Sequence, residues 1–409
     1  MKLNIRRAVL SASLSAIMMS TVISGTAVYA ETGPSKGTES FDMNITSKGP
    51  SVPASGMDTS ASTGLTVDET SPFSTNIYGT SVNGYYCDAV TTYTYENLQA
   101  DINRFTAEYS EYIKASSLGI TADDRNEYEL IVGNNNAENQ ILLIGAMHGR
   151  EYITTQLIMR QLHSLLTQAK TGGSINGQSV ATLLEKTCIH VIPMNNPDGV
   201  TLSQFGEAKV NKQENIANLR AMINHDKERE GYTGNTDWYY RRWKNNINGV
   251  DINRNFSVGW EKLDDSRYFP SYEYYKGPSA ESEAETIALI NVLNEAEIDE
   301  VINYHAQGGV IYWSFGAAPD VVETRSKELA ELVKSETGYI LGSASTNKNS
   351  PGSGAYKEYI ALKGIPSVTI EVGLGSCPLP DTDIDGIWEK NHNVLNSIVY
   401  ELNNKKSVM

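Results

Sequence analysis

Two histidines and two glutamates in this chain stand where apolar runs stop. In ILLIGAMHGREYITT, His148 lies just past a buried-strand pattern and Glu151 opens the helical segment that follows. Ligands of open α/β sheets bind outside the carboxyl ends of the strands. A His and a Glu three apart across such a turn can face one cation, giving two of the three protein ligands of a His₂Glu catalytic zinc site. EVINYHAQGG offers a third donor, His305, after the apolar stretch Val301 to Tyr304 and before two glycines. Glu371 ends the apolar stretch of GIPSVTIEVGLG, where partial desolvation raises its proton affinity and suits it to general base work. His163, His190, His225 and His392 read as structural, since none has an acid beside it at a strand end.

A polar segment, GVDINRNF (249 to 256), adds recognition chemistry. Arg254 presents a planar fork suited to a carboxylate, with Asn253 and Asn255 as amide donors beside it. Asp251 has the character of an acceptor for the outer ring nitrogen of a ligating histidine.

Positioning these groups requires strands alternating with helices. Helical spacing runs from Tyr95 to Lys114 (Leu98, Ile102, Phe105, Tyr109, Tyr112, Ile113), then Glu127 to Val132 and Gln140 to Ala146 read as strands. Glu151 to Ala169 carries Ile153, Leu157, Ile158, Leu162, Leu165 and Leu166 on one face, the pattern of a helix docked on a sheet. Strands follow over Cys188 to Met194, Val301 to Tyr304 and Ser367 to Val372, and helices over Glu281 to Ala296, Asp320 to Thr337 and Asp385 to Leu402. Continuous apolar strands separated by helices indicate a mostly parallel or mixed sheet covered on both faces.

The 409 residues are 40% hydrophobic and 20% charged, which suits a large core and excludes a disordered acidic tail or a multi-pass membrane protein. A net charge of −16 argues against nucleic-acid and membrane-surface partners. Three cysteines cannot form a disulfide scaffold, and no disulfide is expected to be needed for activity. Residues 1–30 have the cationic start, apolar middle and Ala-Val-Tyr-Ala end of a signal peptide, whose removal would take Lys2, Arg6 and Arg7 away and the charge to −19. Residues 31–92, rich in Ser, Thr, Gly and Pro, read as a linker or pro-segment, and 93–405 as the catalytic domain.

Taken in order, HGRE (148 to 151), NNPDG (195 to 199), GVDINRNF, YKGPSAESEAET (275 to 286), His305 and TIEVG (369 to 373) resemble the zinc carboxypeptidase family from about Tyr93 to Leu402. That resemblance implies a mixed, mostly parallel eight-stranded sheet sandwiched between helices. It implies one zinc ion on His148, Glu151 and His305, and Glu371 as general base and proton shuttle. It further implies Asn253 and Arg254 on the substrate's terminal carboxylate and Asp251 behind a zinc histidine. Two departures from the digestive branch stand out. RRWK puts Lys244 where that branch has the arginine polarising the scissile carbonyl, leaving Lys244, Arg242 and Arg241 as candidates, and Asn349 falls where it has a flap tyrosine. HAQGGVIYW and WKNNINGVDINRNF look instead like bacterial γ-D-glutamyl-diamino-acid peptidases, which cut cell-wall stem peptides. The expectation is therefore a secreted or wall-associated monomeric zinc peptidase acting on murein stem peptides. A nutritional carboxypeptidase and an inactive wall-peptide-binding relative are the alternatives.

Overall fold

The computed structural model describes residues 79–263 and 267–406. The expected signal peptide and most of the expected linker lie outside the described residues. Packing reaches ahead of the expected start at Tyr93: Tyr85, Cys87 and Ala89 are buried, and the Cys87 N–H donates to Asp101.

Eight strands form one sheet: β1 (Ile113–Ile120), β2 (Asn126–Gly133), β3 (Asn139–Ile144), β4 (Thr187–Ile192), β5 (Glu300–Ala306), β6 (Val310–Tyr312), β7 (Ile340–Leu341) and β8 (Ser367–Val372). Their spatial order is β1-β2-β4-β3-β5-β8-β6-β7. β4, β3, β5 and β8 run parallel as neighbours, while β2 joins β4, and β6 joins β8, antiparallel. The mixed eight-stranded sheet expected from the resemblance is what the chain forms.

Side chains alternate between faces along a strand, so a strand buried on both sides feeds two cores. Ile141 and Leu143 of β3 enter one cluster with Ile189, Val191, Ile302, Tyr304, Val368 and Ile370. That cluster is closed by α2 (Ile153–Thr171), α8 (Asp320–Thr337), α10 (Ile384–Asn391) and α11 (Val394–Lys406). Leu142 and Ile144 enter the opposite cluster with Ile192, Val301, Phe256 and Tyr356, closed by α7 (Ala284–Glu295) and α9 (Tyr356–Leu362). Each fully buried aliphatic side chain contributes about 1.5–3 kcal/mol.

Several expected elements need correction. Helix α1 spans Tyr95–Glu108 and stops at Tyr109, whose φ of −122° leaves the helical region; Ile113 and Lys114, read as helix, belong to β1. The last helical stretch is two helices, α10 and α11, with His392 capping the first. Helices α3 (Val180–Glu185), α4 (Pro197–Phe205), α5 (Gln213–Arg229) and α6 (Thr236–Arg241) also lie between the expected elements.

Behind α4 lies a buried acidic group. Glu285 is 1% exposed; burial, with Asp198 and Glu283 nearby, pushes its carboxyl up to about 8. Burial likewise raises Glu127 well above the ordinary range. A carboxyl that holds its proton more tightly folded than unfolded stabilises most below its unfolded value and loses that contribution as pH rises. For Glu285 the loss runs from about pH 4.5 to about 8. Stability is therefore expected to fall across that window by a few kcal/mol on the order given by about 1.4 kcal/mol per pH unit of displacement. Glu285→Gln, which imitates the protonated form, should flatten the fall. Chemical denaturation at pH 5 and pH 8.5 checks this, and an equal slope in both proteins would contradict it.

Candidate active site

Three adjacent parallel strands carry the chemistry. β3 leads through Gly145, Ala146 and Met147 to His148, His305 is the penultimate residue of β5, and Glu371 sits on β8 directly in register with His305. The turn after β3 is held by close approach: a Cβ on Gly149 would lie 2.4 Å from the Gly199 carbonyl oxygen, and the Gly149 N–H donates to the Lys244 carbonyl at 2.8 Å. Gly199 belongs to NNPDG, where Asn196 caps α4 by accepting the Gly199 N–H and Pro197 begins the helix. This packing ties the HGRE turn to NNPDG and to the segment bearing Lys244.

His148, Glu151 and His305 are all buried, and their donor atoms lie within 4.8 Å of one another. Glu151 Oε1 is 2.8 Å from His148 Nδ1, Glu151 Oε2 is 2.9 Å from His305 Nδ1, and the two Nδ1 atoms are 3.1 Å apart. Two imidazole lone pairs aimed at each other beside a carboxylate repel unless a cation or protons lie between them, so the donor set fits a divalent ion. Outer partners hold the rings. Asp251 Oδ1 is 3.2 Å from His148 Nε2, an ion-pair distance without hydrogen-bond geometry, and its negative charge favours the ring N–H on that side with the Nδ1 lone pair facing inward. Burial alone would push the Asp251 carboxyl up; Lys244 and His148 outweigh it and hold it well below the usual carboxylate range.

Asn303, two residues before His305 on the same strand face, supplies the other outer partner. Its amide lies 3.0 Å from His305 Nε2, and its Oδ1 is buried without a hydrogen bond. Turning the oxygen toward Nε2 lets Asn303 accept the ring N–H, satisfies that orphaned atom and frees Nδ1 for a metal. Nothing in the sequence analysis singled out Asn303, although an asparagine at an i−2 position in a fully buried strand was the signal available. Asn303→Leu is expected to weaken zinc binding about 10- to 100-fold, as loss of such a partner generally does. Competition with a chromophoric chelator measures it, and unchanged affinity would remove Asn303 from the site.

Glu371 is partly buried. Burial pushes its carboxyl up to about 7, Glu151 adds to that, and His305 and Lys244 oppose it. Of the three candidate cations, Lys244 contacts the site residue Asp251: its Nζ meets Asp251 Oδ2 and lies 4.8 Å from the Tyr274 ring centroid. Arg241 turns to the Tyr152 hydroxyl and ring, and the Arg242 carbonyl accepts from Arg150. Arg254 approaches the same Asp251 oxygen at 3.5 Å through Nε. Asn253 accepts the Tyr356 N–H with Oδ1 at 2.9 Å, which anchors its amide and leaves the NH₂ as the end it can offer a ligand. The loop before α9 packs here too, and a Cβ on Gly354 would come within 2.3 Å of the Arg254 carbonyl oxygen. Arg150, also absent from the expected set, pairs with Glu273 at 3.0 Å.

Two of the histidines read as structural do have an acid beside them, contrary to the ground of that reading, and His163 stands with Cys87 and Asp88 in a second group of possible metal donors. His190 is satisfied between Glu129 and Gln140 in β4, and His392 bonds the Glu389 carbonyl. His163 does have an acid beside it, Asp88 at 2.6 Å, and lies among the rings of Tyr85, Phe105 and Tyr109. All three cysteines are free.

Comparison with known proteins agrees with this geometry. A family model described as zinc carboxypeptidase matches residues 98–394. The chain is 28% identical over 301 residues to gamma-D-glutamyl-L-diamino acid endopeptidase 1 of Lysinibacillus sphaericus, covering 73% of this chain and 70% of that one. It is 26% identical over 288 residues to carboxypeptidase B of Canis lupus familiaris, covering 68% and 60%. Among solved structures, thrombin activatable fibrinolysis inhibitor superposes with a TM-score of 0.61 at 18% identity, over 80% of this chain and 82% of that one. With a matching family model over most of its length, the family's fold and a His-Glu-His donor set at the strand ends, this chain belongs to the zinc carboxypeptidase family and is a one-zinc metallopeptidase.

Proposed function

We propose that this peptidase is exported through residues 1–30 and hydrolyses the γ-D-glutamyl-diamino acid bond of murein stem peptides, as a monomer outside the cell. The similarity to a γ-D-glutamyl-L-diamino acid endopeptidase over 73% of the chain carries this reading. The described residues contain no helix long and apolar enough to cross a membrane.

In this reading His148, Glu151 and His305 hold the ion. Bound zinc supplies Lewis acidity toward the scissile carbonyl and makes water a competent nucleophile near neutral pH. Glu371, adjacent in the sheet to His305, accepts the water's proton on a carboxylate oxygen and delivers it to the departing amine. Lys244 adds positive charge on the wall where the carbonyl oxygen becomes negative. Arg254 and Asn253 take the terminal carboxylate of the diamino acid, so that binding energy spent there fixes the amide near Glu371. Asp251 holds His148 and braces both cations at once.

Mass spectrometry of products tests the proposal. L-Ala-γ-D-Glu-diaminopimelate should lose its terminal diaminopimelate in the presence of zinc and stay whole with a chelator. Release of C-terminal Phe, Leu or Lys from ordinary peptides with the stem peptide untouched would make it a nutritional carboxypeptidase. Tight binding of stem peptide with no cleavage of either would make it an inactive binding relative.

A further inference from the structure

We infer that Tyr274 is a positioning residue for carboxylate recognition, clamping Lys244 and Arg254 on the wall of the site. The inference rests on the proposed reading only in taking Arg254 as the carboxylate's partner.

Its backbone is the first observation. Tyr274 has φ +66°, in the left-handed region that bulky L-residues avoid and glycine occupies freely. A tyrosine kept at such a place points to a use for its side chain. The chain on either side is already pinned to the site. The Tyr272 carbonyl accepts the N–H groups of Lys244 and Asn245, Glu273 pairs with Arg150, and the Tyr275 carbonyl accepts the Asp251 N–H at 2.7 Å. Tyr274 joins this anchoring through its own carbonyl, which accepts the Arg267 N–H at 3.0 Å, so the main chain here is held on both sides of the ring.

The ring is the second observation. Lys244 Nζ lies 4.8 Å and Arg254 Cζ 5.1 Å from its centroid, both within cation–π range. These two like charges also converge on a single carboxylate oxygen, Asp251 Oδ2. Asp251 is fully buried, so it restrains the cations from within, whereas Tyr274 as a residue is 37% exposed and meets them from the more open side. Long flexible cations gripped at both ends lose little further freedom when an anion arrives, and that preorganisation appears as affinity. An apolar side chain of similar size lacks the negative π face and would leave the two cations to spread apart.

The test measures binding in the Glu371→Gln background, zinc-loaded, by calorimetry. The probes are L-Ala-γ-D-Glu-diaminopimelate, an ordinary L-tripeptide, and the C-terminal amide of each. Tyr274→Leu should weaken the free acids by about tenfold while changing the amides less than about twofold. Tyr274→Phe, which keeps the ring, should restore the affinity. Tyr274→Gly, which removes the ring without placing a bulky side chain at the positive φ, should lose acid affinity as the leucine variant does. Acids and amides weakened alike, acids unaffected by the leucine change, or a glycine variant that binds the acids as the parent does would each overturn the inference. Using both peptide classes separates this result from the substrate: if only the ordinary peptide binds, the stem-peptide reading fails while Tyr274 is still read on the ordinary acid and its amide.

Discussion

Replacing His305 by alanine is expected to empty the zinc site and bring hydrolysis down to the level of chelated wild type. The prediction follows from three donors converging with no fourth protein ligand among the described residues to take over. Deleting His305 leaves one imidazole and one carboxylate, a set too small for the three protein ligands that catalytic zinc sites use. It also leaves Asn303 facing a void in a strand whose seven residues are all buried. His305→Gln, which refills part of that space with an amide, separates ligand loss from packing loss: both variants should lose metal, while the glutamine variant keeps more stability. Elemental analysis decides, and a His305→Ala protein that retains a full equivalent of zinc would end the assignment.

Glu371→Gln should keep both zinc and fold and lose turnover by about 10² to 10⁴. The amide matches the carboxylate in shape but cannot carry a proton from water to the leaving amine. Position favours the role: Glu371 is beside His305 in the parallel register, and burial raises its carboxyl to about 7. Activity within threefold of wild type, with zinc present, would take Glu371 out of the mechanism. The same variant gives the binding background used above, so its retained affinity for peptide is a second check that the site remains formed.

The candidate donors His148 and His305 were legible because they sit at the ends of two strands, β3 and β5, that are buried along their entire length. A single His or Glu in or at the end of an apolar strand has ordinary explanations, as His190 in β4 shows, and it was the joint order of the motifs that pointed to the site and the sheet. The edges were another matter. β1 reads IKASSLGI and is exposed at most positions, so its sequence has no buried face to betray it, and the apolar spacing of Tyr109, Tyr112 and Ile113 extended the helix reading past its true stop. Helix α4 begins with an Asn cap and a proline, a proper helix start, yet Asn-Pro-Asp-Gly also spells a turn. The break between α10 and α11 carries neither glycine nor proline. Tyr274 had no sequence signal, since its position over Lys244 and Arg254 depends on a backbone angle and on chain segments distant in order.

Linkage preference tests the proposed γ-D-glutamyl specificity most directly. Steady-state rates of the zinc-loaded full chain would be compared on L-Ala-γ-D-Glu-diaminopimelate and on the α-linked L-Glu isomer, which has the same atoms and the same terminal residue. The account predicts a kcat/KM at least about tenfold higher for the γ-D-linked peptide, equal to about 1.4 kcal/mol of transition-state preference. Equal values, or faster cleavage of the α-linked isomer, would contradict it.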